Sequence, residues 1–157
     1  MNIIEEQRKV LMIDDDGYFD KISEAIRNAG HSVELEVNIS NALSVLKNPN
    51  NKYDAILLDL YLNGSDLPKD VKGIWQANKG MPSGWAFYEY ILLQKYESLA
   101  NQTMFISGML SQFDDWVLIN RGVEWAKIKG ENRVVAKNDE EITEKILMFL
   151  KRCKKLT

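Results

Sequence analysis

A chain of 157 residues with 45% hydrophobic and 27% charged side chains has room for one domain around a single core, not two. Its net charge of −3 and pI near 5.3 leave no electrostatic footprint for nucleic acid, and no stretch approaches the roughly 18 apolar residues of a membrane span. The single cysteine, Cys153, excludes an internal disulfide; with a charged N-terminal stretch that lacks an apolar signal segment, it points to a cytoplasmic protein.

Short apolar blocks alternate with 3.6-period stretches, which predicts repeated β-α units around a parallel sheet. Residues 9–13 form the first strand. Phe19, Ile22, Ile26 and Ala29 then recur at helical spacing until Gly30 stops the helix. Val33, Leu35 and Val37 alternate as a second strand, and Ser40 is placed to cap a short helix carrying Ala42, Leu43 and Leu46. The cluster Asn48-Pro49-Asn50-Asn51 ends it, and residues 54–58 make a third strand. Beyond Asp59 nothing regular is expected until about Ser83. Gly64, Gly73, Gly80, Pro82 and Gly84 punctuate this excursion, which holds two large apolar groups, Ile74 and Trp75. A helix resumes with Phe87, Tyr88, Ile91 and Leu92, and residues 104–106 form a fourth strand ending at Ser107-Gly108. A helical region with Trp116, Val117, Val123 and Trp125, broken at Gly122, leads to a fifth strand at 134–136. The last helix carries Ile142, Ile146, Phe149, Leu150 and Cys153 on one face, with Asp139, Glu140 and Glu141 at its positive end. The late cations Lys151, Arg152, Lys154 and Lys155 read as the complement of its C-terminus.

Four of these strands end in a group fit for chemistry. Asp14, Asp15 and Asp16 follow the first strand, Asp59 the third, Ser107 the fourth and Lys137 the fifth. In an open parallel sheet the ligand crevice lies outside the carboxyl ends of the strands, so these acids should converge. Converging carboxylates repel unless a cation lies between them, and a hard oxygen donor set favours Mg²⁺ completed by a phosphate. A carboxylate nucleophile, a divalent cation, a hydroxyl and a lysine are together the parts needed for phosphoryl transfer.

The stretches Val-Leu-Met-Ile-Asp-Asp-Asp (10–16), Tyr-Asp-Ala-Ile-Leu-Leu-Asp-Leu (53–60), Ile106-Ser107-Gly108 and Val135-Ala136-Lys137 occur in that order. They resemble the acidic pair, the phosphoacceptor strand, the Thr/Ser-Ala/Gly step and the lysine of the receiver domain of two-component response regulators. The resemblance covers about residues 9–153 of one domain spanning 1–157. It implies an α/β fold: a doubly wound, five-stranded parallel sheet of flavodoxin-like order 2-1-3-4-5 with helices on both faces. It also implies Asp59 as phosphoacceptor, with Mg²⁺ held by Asp15, Asp59 and the Tyr61 backbone carbonyl and assisted by Asp14. Ser107 would contact the phosphoryl group and Lys137 would pair with it. The implied upstream partner is a histidine kinase or a phosphotransfer protein. With no output domain expected, the downstream partner would be another protein reached by direct contact.

Three features depart from the family pattern. Asn138 stands where proline usually follows the lysine, and Val134 stands where an aromatic switch residue is common. An insertion at about 65–82 adds about 16 to 18 residues at the rim of the acidic site. It reads equally as a docking or lid element anchored by Trp75 and Met81, or as a loop packed on its own scaffold. Tyr61 and Met109 stand where family members tune hydrolysis of the acyl phosphate; neither carries a carboxylate or amide to position water, so slow loss of the phosphoryl group is expected. Two other functions compete with the receiver reading. The run Ile13-Asp14-Asp15-Asp16-Gly17 also resembles the start of haloacid-dehalogenase-type phosphatases, with Asp14 as nucleophile and Asp16 as general acid, but that assignment leaves Asp59 without a role. The other is a receiver-like interaction module that is never phosphorylated. His31 reads as a surface imidazole, Cys153 as a buried thiol, and Trp85, Tyr88, Tyr90 and Tyr96 as core and helix surface.

Overall fold

The structure, a computed structural model, describes residues 6–16 and 20–157; Gly17, Phe19 and the first part of the charged N-terminal stretch lie outside the described residues. Strands β1 (Lys9–Ile13), β2 (Ser32–Glu36), β3 (Ala55–Asp59), β4 (Thr103–Ser107) and β5 (Val134–Ala136) form one sheet in the order β2-β1-β3-β4-β5. Every pairing is parallel. The expected order therefore holds. Ile13 aligns with Leu58, Asp59 with Ile106, and Ser107 with Ala136, so the residues that follow β1, β3, β4 and β5 emerge together along one edge.

The central strands β1, β3 and β4 are buried on both sides, the edge strands β2 and β5 only in part, and successive side chains divide between two apolar layers. Leu11, Ile13, Ile56, Leu58 and Phe105 belong to one layer, while Val10, Met12, Leu57, Met104, Ile106 and Val135 belong to the other. Helices α1 (Asp20–Asn28) and α9 (Ile142–Arg152) close the second layer with Ile22, Ile26, Ile142, Ile146, Phe149, Leu150 and Cys153. The first layer is covered by α2 (Ile39–Lys47), by the segment that follows β3, and by the paired helices before β5. An aromatic group fills its centre. Trp85 packs 5.7 Å from Phe105 and 5.5 Å from Phe113, and Phe113 meets Trp125 edge to face at 4.6 Å.

Several local expectations are corrected. Asn38, not Ser40, caps α2: its side-chain oxygen accepts from the Asn41 N–H at 2.7 Å, and the helix begins one residue before Ser40. The segment at about 65–82, expected as an irregular insertion, is not irregular. It holds a 3₁₀ turn at Gly64–Asp66 and a nine-residue helix, α3 (Lys69–Ala77). Leu67, Val71 and Met81 are buried in the main core, and the Trp75 ring lies so close over Gly64 that a β-carbon there would fall 2.3 Å from it. The Trp75 indole N–H donates to the Met81 carbonyl at 2.9 Å, tying the end of the insertion to its helix. Trp75 and Met81 thus support the insertion's own packing.

Helix α4 (Ser83–Phe87) continues through a π-helical turn at Tyr88–Leu92 into the short α5 (Leu93–Lys95), and α6 (Glu97–Asn101) leads to β4. Helices α7 (Leu110–Asn120) and α8 (Gly122–Gly130) break at Arg121, beside the expected glycine. Arg121 pairs with Glu89 at 2.7 Å, which fastens this corner to the π-helical turn. His31 is buried rather than exposed; its Nδ1 accepts from the Arg8 N–H at 2.9 Å. Gly30, at φ +96°, turns the chain so that the imidazole meets the amide just before β1. Among the described residues no helix is long and apolar enough to cross a membrane.

Candidate functional site

The site forms where β1 and β3 end. Asp14 follows Ile13 and is almost fully buried, as is Asp59 at the end of β3, while Asp15 and Asp16 face outward. Carboxylate oxygens of Asp14, Asp15 and Asp59 all lie within 4.8 Å of one another. Each buried acid is oriented by the main chain two residues on: the Asp16 N–H donates to Asp14 Oδ1 at 2.9 Å, and the Tyr61 N–H donates to Asp59 Oδ1 at 3.0 Å. These Asx-type turns leave the second oxygen of each acid aimed into the crevice.

Lys137 enters from the end of β5. Its main-chain N–H donates to the Ser107 carbonyl at 2.9 Å, and its ammonium spans three acids: Asp14 Oδ2 at 2.9 Å, Asp59 Oδ2 at 3.1 Å, and Asp16 Oδ2. No hydrogen bond of proper geometry reaches the buried Asp14 Oδ2, so the ion pair with Lys137 is what compensates it. Ser107 is buried beside this group. Its hydroxyl accepts from the Met109 N–H at 3.0 Å, so it joins the cluster through its main chain and its own turn. The structure thus brings together Asp14, Asp15, Asp59 and Lys137, and adds Asp16, which the sequence placed among the converging acids but gave a role of its own only as general acid in the phosphatase alternative.

Electrostatics follow from burial. Loss of water raises the Asp14 carboxyl from 3.8 to about 8, opposed by the Asp16 N–H and by Lys137 and reinforced by the charge of Asp59. Burial likewise raises Asp59, against the pull of the Tyr61 N–H and of Lys137. For Lys137 burial acts downward, but the bonds to Asp16 and Asp14 and the charge of Asp59 outweigh it and hold the ammonium above its ordinary range. Such a pocket is short of positive charge. Hard carboxylate oxygens, two of them nearly dry, with one orphaned lone-pair site, fit a small divalent cation such as Mg²⁺.

Gly84 explains why the strand end keeps its shape after so long an excursion. The chain returns at Ser83-Gly84: the Gly84 N–H donates to the Leu60 carbonyl at 2.8 Å, and the Leu62 N–H donates to Ser83 Oγ at 3.0 Å. A β-carbon on Gly84 would lie 2.0 Å from the Asp59 carbonyl oxygen, so only glycine allows α4 to start against the end of β3.

No protein-family model matches the sequence and no curated protein matches it. Solved structures do. The receiver domain of the Francisella response regulator 1452 superposes with a TM-score of 0.57 at 17% identity, over 92% of this chain and 98% of that one. The BeF3 activated DrrB receiver domain gives 0.56 at 17% identity, over 94% and 100%. The non-phosphorylated HemR receiver domain from Leptospira biflexa gives 0.53 at 19%, over 92% and 92%. The chain spans 54% of the longer DrrB chain from Thermotoga maritima and 26% of NtrX from Brucella abortus. The fold is that of response regulator receiver domains.

Proposed function

We propose that the chain is a phosphorylation-dependent signalling switch of the two-component type, with Asp59 as phosphoacceptor. The observation that carries this reading is the convergence of Asp14, Asp15, Asp59 and Lys137 at the carboxyl edge of a receiver-type sheet. An Asp59 oxygen forms a new P–O bond while the bond between phosphorus and the donor breaks, the donor departing with the electron pair. The donor is the phosphohistidine of a histidine kinase or phosphotransfer protein, or a small acyl phosphate.

Asp15, Asp59 and the Tyr61 carbonyl would hold Mg²⁺, with Asp14 assisting. The bound cation supplies charge neutralisation for the incoming phosphoryl oxygens. Lys137 follows the phosphoryl group as its counter-charge, and the Ser107 hydroxyl turns from the Met109 N–H to one of its oxygens. Asp16, paired to Lys137, is poorly placed as the general acid of a phosphatase, and that reading leaves the buried Asp59 in the same cluster without a role; both support Asp59 over that alternative. The phosphoryl group adds about −1.5 to −2 charges at a point where β4 and β5 supply the responding residues. Output is by contact with another protein.

Intact mass after incubation with acetyl phosphate and Mg²⁺ tests this. One adduct of about 80 Da, absent from Asp59→Asn, is expected. An adduct that persists in Asp59→Asn contradicts the assignment, and no adduct with any donor favours the unphosphorylated module.

A further inference from the structure

Lys137 has more acceptors than a paired lysine needs. Its ammonium touches Asp14 Oδ2 and Asp59 Oδ2, oxygens of two carboxylates that would bind a cation, and also Asp16 Oδ2, which is not one of them. The two kinds of partner differ in exposure. The side chains of Asp14 and Asp59 are 1% and 5% exposed, that of Asp16 is 47% exposed, and that of Lys137 is 12% exposed. The Asp16 main chain is held beside the cluster, because its N–H donates to Asp14 Oδ1. The lysine main chain is fixed as well, through its bond to the Ser107 carbonyl. The ammonium, at the end of a flexible stem, touches all three carboxylates at once, with Asp16 as its outer partner.

We propose that Asp16 is a positioning residue: it already holds the Lys137 ammonium from the rim side of the cluster, and it receives that ammonium when a divalent cation takes the Asp14, Asp15 and Asp59 oxygens. This rests on the reading of the cluster as a Mg²⁺ and phosphoryl site, and names a residue that acts there through Lys137. An ammonium lodged between Asp14 and Asp59 repels an incoming dication at close range in a site largely closed to water. It leaves readily only if another anion receives it. A half-exposed carboxylate does so at small cost, because an exposed ion pair is weak and easily remade. Without Asp16 the ammonium settles on the oxygens the cation needs, and the site also loses one negative charge. Both effects weaken cation binding.

Calorimetric titration of the full chain with Mg²⁺ alone, at fixed ionic strength, tests this in a double-mutant cycle. Asp16→Asn is expected to weaken Mg²⁺ binding about five- to tenfold, and Asp16→Glu to stay within about twofold of the parent. Lys137→Met should bind Mg²⁺ more tightly than the parent, and adding Asp16→Asn to it should cost no more than about twofold, the share of bare charge. The same loss with and without Lys137 would overturn the positioning role and leave a simple charge effect. An unchanged affinity in Asp16→Asn would overturn it too. A parent chain that binds no Mg²⁺ would overturn the site reading itself, and the inference with it. Circular dichroism of each variant separates lost binding from lost folding.

Discussion

At the scale of single residues, the site stores electrostatic tension that pH should reveal. A carboxyl whose folded pKa lies above its unfolded one disfavours folding once it is forced to ionise. For Asp14 that penalty begins above 3.8 and is complete above about 8, because the folded state holds a proton the unfolded state has released. Asp59 adds to it in the same direction. With divalent cations removed by chelator, unfolding free energy should therefore fall by a few kcal/mol between pH 4 and pH 8, as read by urea denaturation. Asp14→Asn should flatten the slope, and Mg²⁺ should restore stability most at the alkaline end. A parent chain that gains stability across that range would contradict the account. Cys153 gives the opposite case, a group that burial keeps inert: its thiol is pushed up to about 12 by desolvation, outweighing the nearby arginines. It should resist alkylation in the folded chain.

At the scale of elements, the acidic crevice depends on how the chain returns after β3. The insertion spends its apolar residues on its own anchorage, with Leu67, Val71 and Met81 in the core and Trp75 over Gly64, and then delivers Gly84 against the Asp59 carbonyl. Gly84→Ala is expected to destabilise by about 1–3 kcal/mol or more and to reduce phosphoryl labelling, since the clash falls on backbone at Asp59 and Leu60. Thermal melting and intact mass check both. Gly73→Ala, on an open helix face, should raise stability by about 0.5–1 kcal/mol. The central strands were legible in the sequence because each is an apolar run short enough to be buried on both sides, and the edge strand β2 because its apolar residues alternate with polar ones. Helix α3 was not, because Gly64 and Gly73 look like loop punctuation until one sees Trp75 packed on the first and nothing packed on the second. His31 escaped for a similar reason: its partner is a main-chain amide, which carries no side-chain signal.

At the scale of the molecule, the sheet separates a chemical edge from a structural one. Asp14, Asp15, Asp59, Ser107 and Lys137 gather at the carboxyl ends of the strands, and that placement was legible because the ligand crevice of a parallel sheet lies outside its strands' carboxyl ends. Which acid Lys137 grasps was not legible, since a row of three acids does not say which of them the distant lysine will face. The opposite edge is held by Asp54. Its buried carboxylate accepts from the Lys9 N–H at 2.8 Å, from the Leu156 N–H at 2.6 Å and from the Thr157 N–H at 3.0 Å, binding residues 154–157 beneath β1 and β3. Gln102 completes the clasp by exchanging hydrogen bonds with the Lys154 main chain at 2.6 and 2.8 Å. Asp54→Ala should cost about 1–3 kcal/mol and release the Leu156 and Thr157 amides to fast hydrogen exchange, while leaving Mg²⁺ affinity unchanged.

The central claim is that a phosphoryl group is received at Asp59. Borohydride reduction of the chain after phosphorylation, followed by peptide mapping, reads the acceptor directly, because an aspartyl phosphate is reduced to homoserine where it stands. The account predicts homoserine at position 59 and at no other aspartate. Homoserine at position 14, or none in a chain that carries the added phosphoryl mass, would contradict it.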